Sequence, residues 1–301
     1  MLNAISHKIS NNIKIYKEDI ATKGLYWSII HRLYKLPKGR AILSPIVNML
    51  KPNCLTIENH KFYIDKWDTT VSQELLLSGK WEEYETELFK KSIKKGDIVV
   101  DIGAHIGYYT LIAARIVGDR GRVYAFEPDP KNFNLLKMNV EENGYKNVIL
   151  VNKAVADTDG EMRLFLNAEN TGDHRIYQSG DQRKSINIKV ITLDKFFKNK
   201  NKRIDLIKID IQGAEVRALK GSQRIIKEND NLKVLTEFWP RGLYLSGSSA
   251  QEYARLLTKH KFYLYDINEH KKTIKKIDVK SLSLPIKSVI HDYRYLLCLK
   301  G

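Results

Sequence analysis

Hydrophobic residues in the middle of the chain come in short unbroken runs separated by amphipathic stretches. Ile98, Val99, Val100 and Ile102 form a run too uniform for a strand with one wet face, so both faces are expected to be covered, as in a parallel sheet. Asp101-x-Gly103-x-x-x-Gly107 follows, and its glycines permit a sharp turn and close backbone approach. Tyr109, Leu111, Ile112, Ala113, Ile116 and Val117 then recur at helical spacing, and Gly118 ends the pattern. A second buried strand over 122–126 stops at Glu127. Residues 128–143 read as a helix, with Pro130 suited to its first turn and Gly144 to its C-cap. A third buried strand is expected over 148–152.

On either side the pattern changes. Residues 1 to about 50 read as helical and separate from this core. Leu25, Ile29 and Leu33 share a face with Tyr26, Ile30 and Tyr34 beside it, and Pro37 ends the run. Residues 55–65 alternate like a strand, and 70–89 read as a helix with Glu82, Glu83, Glu85 and Glu87 on a solvated face. Lys95-Gly96-Asp97 is the turn into the first core strand. Residues 154–193 interrupt the alternation of strand and helix, with strands expected over 162–166 and 186–191 around a polar loop, 167–184. Alternation resumes with a strand over 204–210, a helix over 214–227 and a strand over 232–237. A helix over 250–260 and strands over 262–266 and 293–299 close the chain. The architecture predicted is α/β: a doubly wound, mostly parallel Rossmann-like sheet with a β insertion, over residues 55–301, preceded by a helical N-terminal appendage, 1–54.

At 301 residues with 43% hydrophobic content, the chain can bury a substantial core. Cys54 and Cys298 offer neither a disulfide framework nor metal-ligand spacing, so no metal is expected and a reducing, cytoplasmic compartment is. No signal-peptide core or membrane span is evident. The net charge of +16 would concentrate a polyanion: RNA, an anionic lipid surface or a phosphorylated carrier. A solvated lysine-rich surface explains it equally well. Lys23, His31, Arg32 and Lys35 surround the aromatic stripe containing Trp27, so residues 20–36 could touch a membrane from one side or pack on their own domain.

Glu127 stands where the second strand should end, and ligands of doubly wound sheets bind beyond those ends. A carboxylate there can accept both hydroxyls of a ribose. A dinucleotide fingerprint would need glycine at 103, 105 and 108, where the chain has Gly103, His105 and Tyr108. The stretch instead resembles the Asp-x-Gly-x-Gly-x-Gly motif of methyltransferases, matched at Asp101, Gly103 and Gly107, with His105 in place of the middle glycine. Histidine tolerates positive φ better than most residues. That resemblance implies S-adenosyl-L-methionine (SAM) as cofactor, with Asp101 near its cationic end and Asn152 or Lys153 near the adenine edge.

Asp210 ends the strand expected beside the first and projects toward the same crevice. It could orient the methionine end of SAM or accept a proton from a substrate hydroxyl. Glu215 opens the next helix, where the helix dipole favours an acid whatever its function. In the polar loop His174 lies between Asp173 and Arg175, a candidate base-and-anchor cluster. Glu237 and Trp239 could line an acceptor pocket, with Trp239 as a platform.

The order DIGAHIG, FEPD, a paired-strand insertion and KIDIQGAE resembles the FkbM family of SAM-dependent methyltransferases over roughly 55–265. The resemblance implies a Rossmann-like class I methyltransferase fold and methyl transfer to oxygen on a glycan, glycolipid or related small molecule. The chain departs from the family pattern at His105 and Gln212, both beside the expected cofactor. Two other readings stay open: an RNA ribose 2′-O-methyltransferase using Asp210, Glu237 and lysines, and an inactive scaffold that binds a partner.

Overall fold

The computed structural model describes residues 51–199, 203–282 and 293–301. The expected N-terminal appendage up to residue 50, including the stripe over 20–36, lies outside the described residues. Contacts divide the chain into two units, 1–53 with 65–67 and 54–64 with 68–301. In the first, Lys51 Nζ donates to the Lys66 carbonyl at 2.9 Å. Among the described residues no helix is long and apolar enough to cross a membrane.

The second unit opens with β1 (Cys54–Ile57) and β2 (His60–Tyr63), then α1 (Val71–Ser78) and α2 (Glu83–Ser92). The single strand expected over 55–65 is therefore a hairpin. Glu58 and Asn59 at its tip have φ of 53° and 62°, the left-handed pair that matches the twist of a two-residue turn. The helix expected over 70–89 is broken by Gly79, which takes φ 71° as the cap of α1.

Then follow β3 (Ile98–Ile102), α3 (Tyr108–Val117), β4 (Arg122–Phe126), α4 (Pro130–Glu142) and β5 (Val148–Val151). Asp129 caps α4, its side chain accepting from Asn132 N, and Pro130 occupies the first turn. The insertion comprises β6 (Ala154–Val155), β7 (Gly160–Phe165) and β8 (Ser185–Ile191), a separate three-stranded sheet. The short α5 (Leu193–Phe196) leads to β9 (Leu206–Ile209), α6 (Glu215–Lys220), α7 (Gln223–Glu228) and β10 (Lys233–Phe238). One helix was expected where α6 and α7 lie. Gly221 divides them, because a Cβ there would sit 1.9 Å from the Ala156 carbonyl oxygen. Last come α8 (Pro240–Leu245), α9 (Ala250–Lys259), β11 (Phe262–Asn268), β12 (Thr273–Ile277) and β13 (Arg294–Lys300).

The main sheet has the order β12-β11-β13-β10-β9-β3-β4-β5. The run from β10 to β5 is parallel, while β13, β11 and β12 are antiparallel to their neighbours. The chain winds outward from β3 to β5, then returns to place β9 on the other side of β3. That reversal is the topological switch point, where a crevice opens beyond the strand ends. Every residue of β3 is buried: Val100 and Ile102 join an apolar cluster on one face, Val99 a second cluster on the other. β5 is only half-buried, because among the described residues it is the edge strand of the sheet. The doubly wound sheet, the β insertion and the crevice position match the sequence expectation.

Candidate active site

The β3–α3 turn is bound to both neighbouring strands. Gly103 N and Ala104 N donate to the Phe126 carbonyl at 3.0 and 2.9 Å. Gly103 has φ 86°, and a Cβ on it would lie 2.0 Å from the carbonyl oxygen of Asp210, so β3 and β9 meet where only glycine fits. His105 has φ 52°, as its place in the motif requires. Its amide donates to Glu127 Oε2 at 2.8 Å, while its ring Nε2 lies 2.8 Å from Thr171 Oγ1 in the insertion loop. Gly107, at φ 96°, caps α3.

Glu127 is buried at the end of β4, its second oxygen accepting from Asp129 N at 2.9 Å. Desolvation pushes its carboxyl up to about 8, although both amides favour the ionised form. Each oxygen keeps a lone pair for a further donor. Asn152 spends its side-chain amide on the Glu127 and Pro128 carbonyls, at 2.8 and 3.2 Å, so it fixes the strand-end loop rather than facing the crevice. Lys153 does line the crevice. Asp101 lies beneath, buried, accepting from Thr110 Oγ1 at 2.6 Å; burial raises its pKa.

One cleft brings Gly103, His105, Glu127, Lys153, His174 and Asp210 together. Ile102, Phe126, Val155, Leu164 and Ile176 supply apolar walls, a lining suited to a small ligand with a few fixed polar groups. The insertion loop closes one side. Asn132 Nδ2 donates to the Thr171 carbonyl at 3.1 Å, and Tyr177 OH donates to the Gln212 carbonyl at 2.6 Å. Within that loop Asp173 is committed to Arg175 and Arg183, at 2.7 and 2.8 Å. His174 Nδ1 accepts from Asn167 N at 3.1 Å, and its Nε2 is 3.9 Å from Asp129 Oδ2. Burial lowers its pKa, so the ring is neutral near pH 7, with its lone pair taken and its Nε2 proton available to donate. The Trp239 indole packs on Gly242 and lies under the Arg175 guanidinium, 4.8 Å from a ring centroid, so that face is not an open platform.

Behind Asp210 lies a constellation the sequence reading missed. Lys208 is buried in mid-sheet, opposite Asp101 in the β3–β9 register. Its ammonium is 3.1 Å from Asp210 Oδ2, 4.0 Å from Glu85 Oε1 and 4.2 Å above the Tyr109 ring. Burial opposes its charge, yet Asp210, Glu85, Glu82 and Asp101 together hold its pKa above the ordinary value. Glu82 and Glu85, expected on a solvated face, turn inward, while Glu83 is half-buried and Glu87 remains exposed. Glu85 is 0% exposed. Glu82 takes φ 44° and accepts from Tyr109 OH at 3.1 Å and from Tyr295 OH. Burial, then Asp210, pushes its carboxyl up to about 7. Gln212 Nε2 donates to Asp210 Oδ1 at 3.1 Å and reaches Glu237 Oε1 at 3.5 Å. Glu215 accepts from Ile211 N and Gly213 N, holding the turn after β9.

The residues present fit SAM. Glu127 could hold a ribose, the apolar walls a flat base, and Asp210 a cationic end. A relative of known activity is the hexuronic acid methyltransferase AglP of Haloferax volcanii, 26% identical over 44% of this chain and 53% of its own length. Protein-L-isoaspartate O-methyltransferase 1 of Archaeoglobus fulgidus is 36% identical over 20% of this chain and 27% of its own. The chain thus spans about half the length, or less, of these curated relatives. A SAM-dependent O-methyltransferase of Thermotoga maritima superposes with a TM-score of 0.42 and 13% identity over 82% of this chain and 84% of that one. The model of the methyltransferase FkbM domain matches residues 101–266, from the acid before the glycine turn through β9 and β10 into β11, and the chain belongs to that family of SAM-dependent methyltransferases.

Proposed function

We propose that the chain is a SAM-dependent O-methyltransferase acting on a hydroxyl of a glycan, glycolipid or related small molecule. The observation that carries this reading is the convergence of Glu127 and Asp210 on one crevice at the switch point. Glu127 would hold the ribose, the turn from Gly103 to Gly107 the centre of the cofactor, and Asp210 its methionine end or the acceptor hydroxyl. When bound, SAM supplies an electrophilic methyl group on a sulfonium. The protein's task is then to align an oxygen with that methyl and to receive a proton. Asp210 is the better placed base: it lines the crevice, and Lys208 and Gln212 fix its two oxygens. His174 acts as a hydrogen-bond donor at the rim, and Asp173 holds the insertion loop through its arginines. The hexuronic acid methyltransferase among the relatives supports a sugar acceptor.

The test is to incubate the chain with methyl-labelled SAM and matched cell extract, then separate RNA, lipid-glycan and small-molecule fractions. Label in a glycan or small-molecule hydroxyl is expected. Label confined to RNA, or absence of SAM binding, overturns the reading.

A further inference from the structure

The edge of the main sheet opposite β5 carries a feature that the cleft does not use. From His270 to Lys276 every residue is exposed, and the stretch holds Lys271, Lys272, Lys275 and Lys276 without an acid. It forms the β11–β12 turn and most of β12, the edge strand among the described residues. Lysine on an edge guards against strand addition. Ile274, 37% exposed in the middle of that edge, does not serve that purpose. Register sets Ile274 opposite Ile267 and Lys276 opposite Tyr265, so both share a face with Tyr263. Tyr263 is 51% exposed, and the Lys276 ammonium lies 4.0 Å from its ring centroid. Thr273 and Lys275 alternate onto the other face. The acids next to the turn are spent. Glu269 accepts from Tyr84 N and Glu85 N at 2.8 and 3.0 Å, and Glu83 pairs with Lys272 at 2.7 Å and also with Lys80.

The register also fixes where this hairpin stands relative to the cleft. Asp210 follows Ile209, which pairs with Thr236; Glu237 pairs with Tyr295, Tyr295 with Ile267, and Ile267 with Ile274. Because β10 and β11 both run antiparallel to β13, they point the same way. The turn out of β11 therefore lies on the rim where the cleft opens, four strand spacings or about 19 Å from Asp210. We infer that the β11–β12 hairpin docks the protein, edge on, onto an anionic lipid surface, with the cleft opening along the same rim. Lysines at the turn and on both faces meet acidic headgroups, while Ile274 and Tyr263 enter the interface between them. Nucleic acid fits this edge less well: an aliphatic Ile274 gives a base nothing to stack on, and Lys276 covers the Tyr263 ring. Docking goes beyond the proposed function and is measured with no acceptor present.

The test is co-sedimentation of the full chain with phosphatidylcholine vesicles, with or without about one quarter phosphatidylglycerol, at about 0.1 M salt. The parent is expected to bind the anionic vesicles and not the neutral ones. Each lysine near such a surface contributes about fivefold, so the triple variant Lys271→Glu, Lys275→Glu, Lys276→Glu should bind at least about 100-fold more weakly. Ile274→Asp should weaken binding about tenfold, a loss that charge attraction alone would not produce. The charge-matched control is Lys91→Glu, Lys94→Glu, Lys95→Glu, whose exposed lysines precede β3 at the opposite rim. It should stay within about threefold of the parent. No binding of the parent to anionic vesicles, or equal loss in the two triple variants, overturns the inference. So does undiminished binding of the hairpin triple, which would move docking to another part of the chain. Retention of a single-stranded RNA by the parent, lost in the hairpin triple and without vesicle binding, overturns it in favour of a nucleic-acid surface. A parent that docks on vesicles but transfers no methyl group overturns the proposed function and leaves the docking surface standing.

Discussion

Gly103→Ala tests the claim that the crevice depends on β3 and β9 meeting at backbone distance. The new Cβ would lie 2.0 Å from the Asp210 carbonyl oxygen and 3.1 Å from its carbonyl carbon, so main chain rather than a flexible side chain must yield. To restore van der Waals contact the two strand ends must separate by more than about 1 Å, an overpacking that costs about 1–3 kcal/mol. The residue would also hold φ 86° without being glycine, adding about 1–2 kcal/mol. The sum, about 2–5 kcal/mol, lowers the melting temperature by roughly 5–15 °C in a domain of this size. Gly144→Ala is the control. Its φ is 70° but nothing lies within 4 Å of its Cβ, so only the conformational cost, about 1–2 kcal/mol, applies. Because the displaced atoms belong to Asp210, SAM affinity should fall in Gly103→Ala and not in Gly144→Ala. Thermal melts and calorimetric titration of SAM read both. A Gly103→Ala variant that melts with Gly144→Ala and binds SAM as the parent does would refute the close approach.

Glu127→Ala should weaken SAM about 10- to 100-fold by titration, since two ribose hydrogen bonds at about 0.5–1.5 kcal/mol each would be lost; undiminished affinity in a folded variant removes the ribose role. Stability should fall as pH rises from about 4.5 to about 8: Glu127 is pushed up to about 8 and Glu82 and Glu215 to about 7, all above the ordinary 4.5. Groups raised on folding give stability that is complete below their unfolded pKa and is lost as pH climbs through the folded one. Denaturant midpoints showing the reverse slope would contradict the burial of these carboxyls. Lys208→Met should cost about 3–5 kcal/mol by stranding its carboxylates, and less in an Asp210→Asn background; strict additivity in a double-mutant cycle would show that the pair is not coupled.

The region from β3 to α4 was readable because its signals are local. An unbroken apolar run means two covered faces, and the glycines and Pro130 mark the ends of elements. Gly103, Glu127 and Asp210 followed, since each ends a recognisable strand. Glu82 and Glu85 did not, because in a run of four glutamates composition favours solvent and only the tertiary position of Lys208 reverses it. The one available signal was Lys208 itself, a lysine inside the apolar run Leu206, Ile207, Ile209, where an unpaired charge has no place. Asn152 stood at the right strand end, yet the carbonyls of Glu127 and Pro128 claim its side chain. Trp239 could not be told from a platform until Arg175, sixty-four residues earlier, was seen above it.

Transfer of labelled methyl from SAM by the parent chain and Asp210→Asn, with SAM affinity measured on both, tests the central claim most directly. The account predicts label in a glycan or small-molecule hydroxyl with the parent, and transfer reduced at least about 100-fold in the variant while SAM still binds. Equal transfer by the two proteins would contradict it.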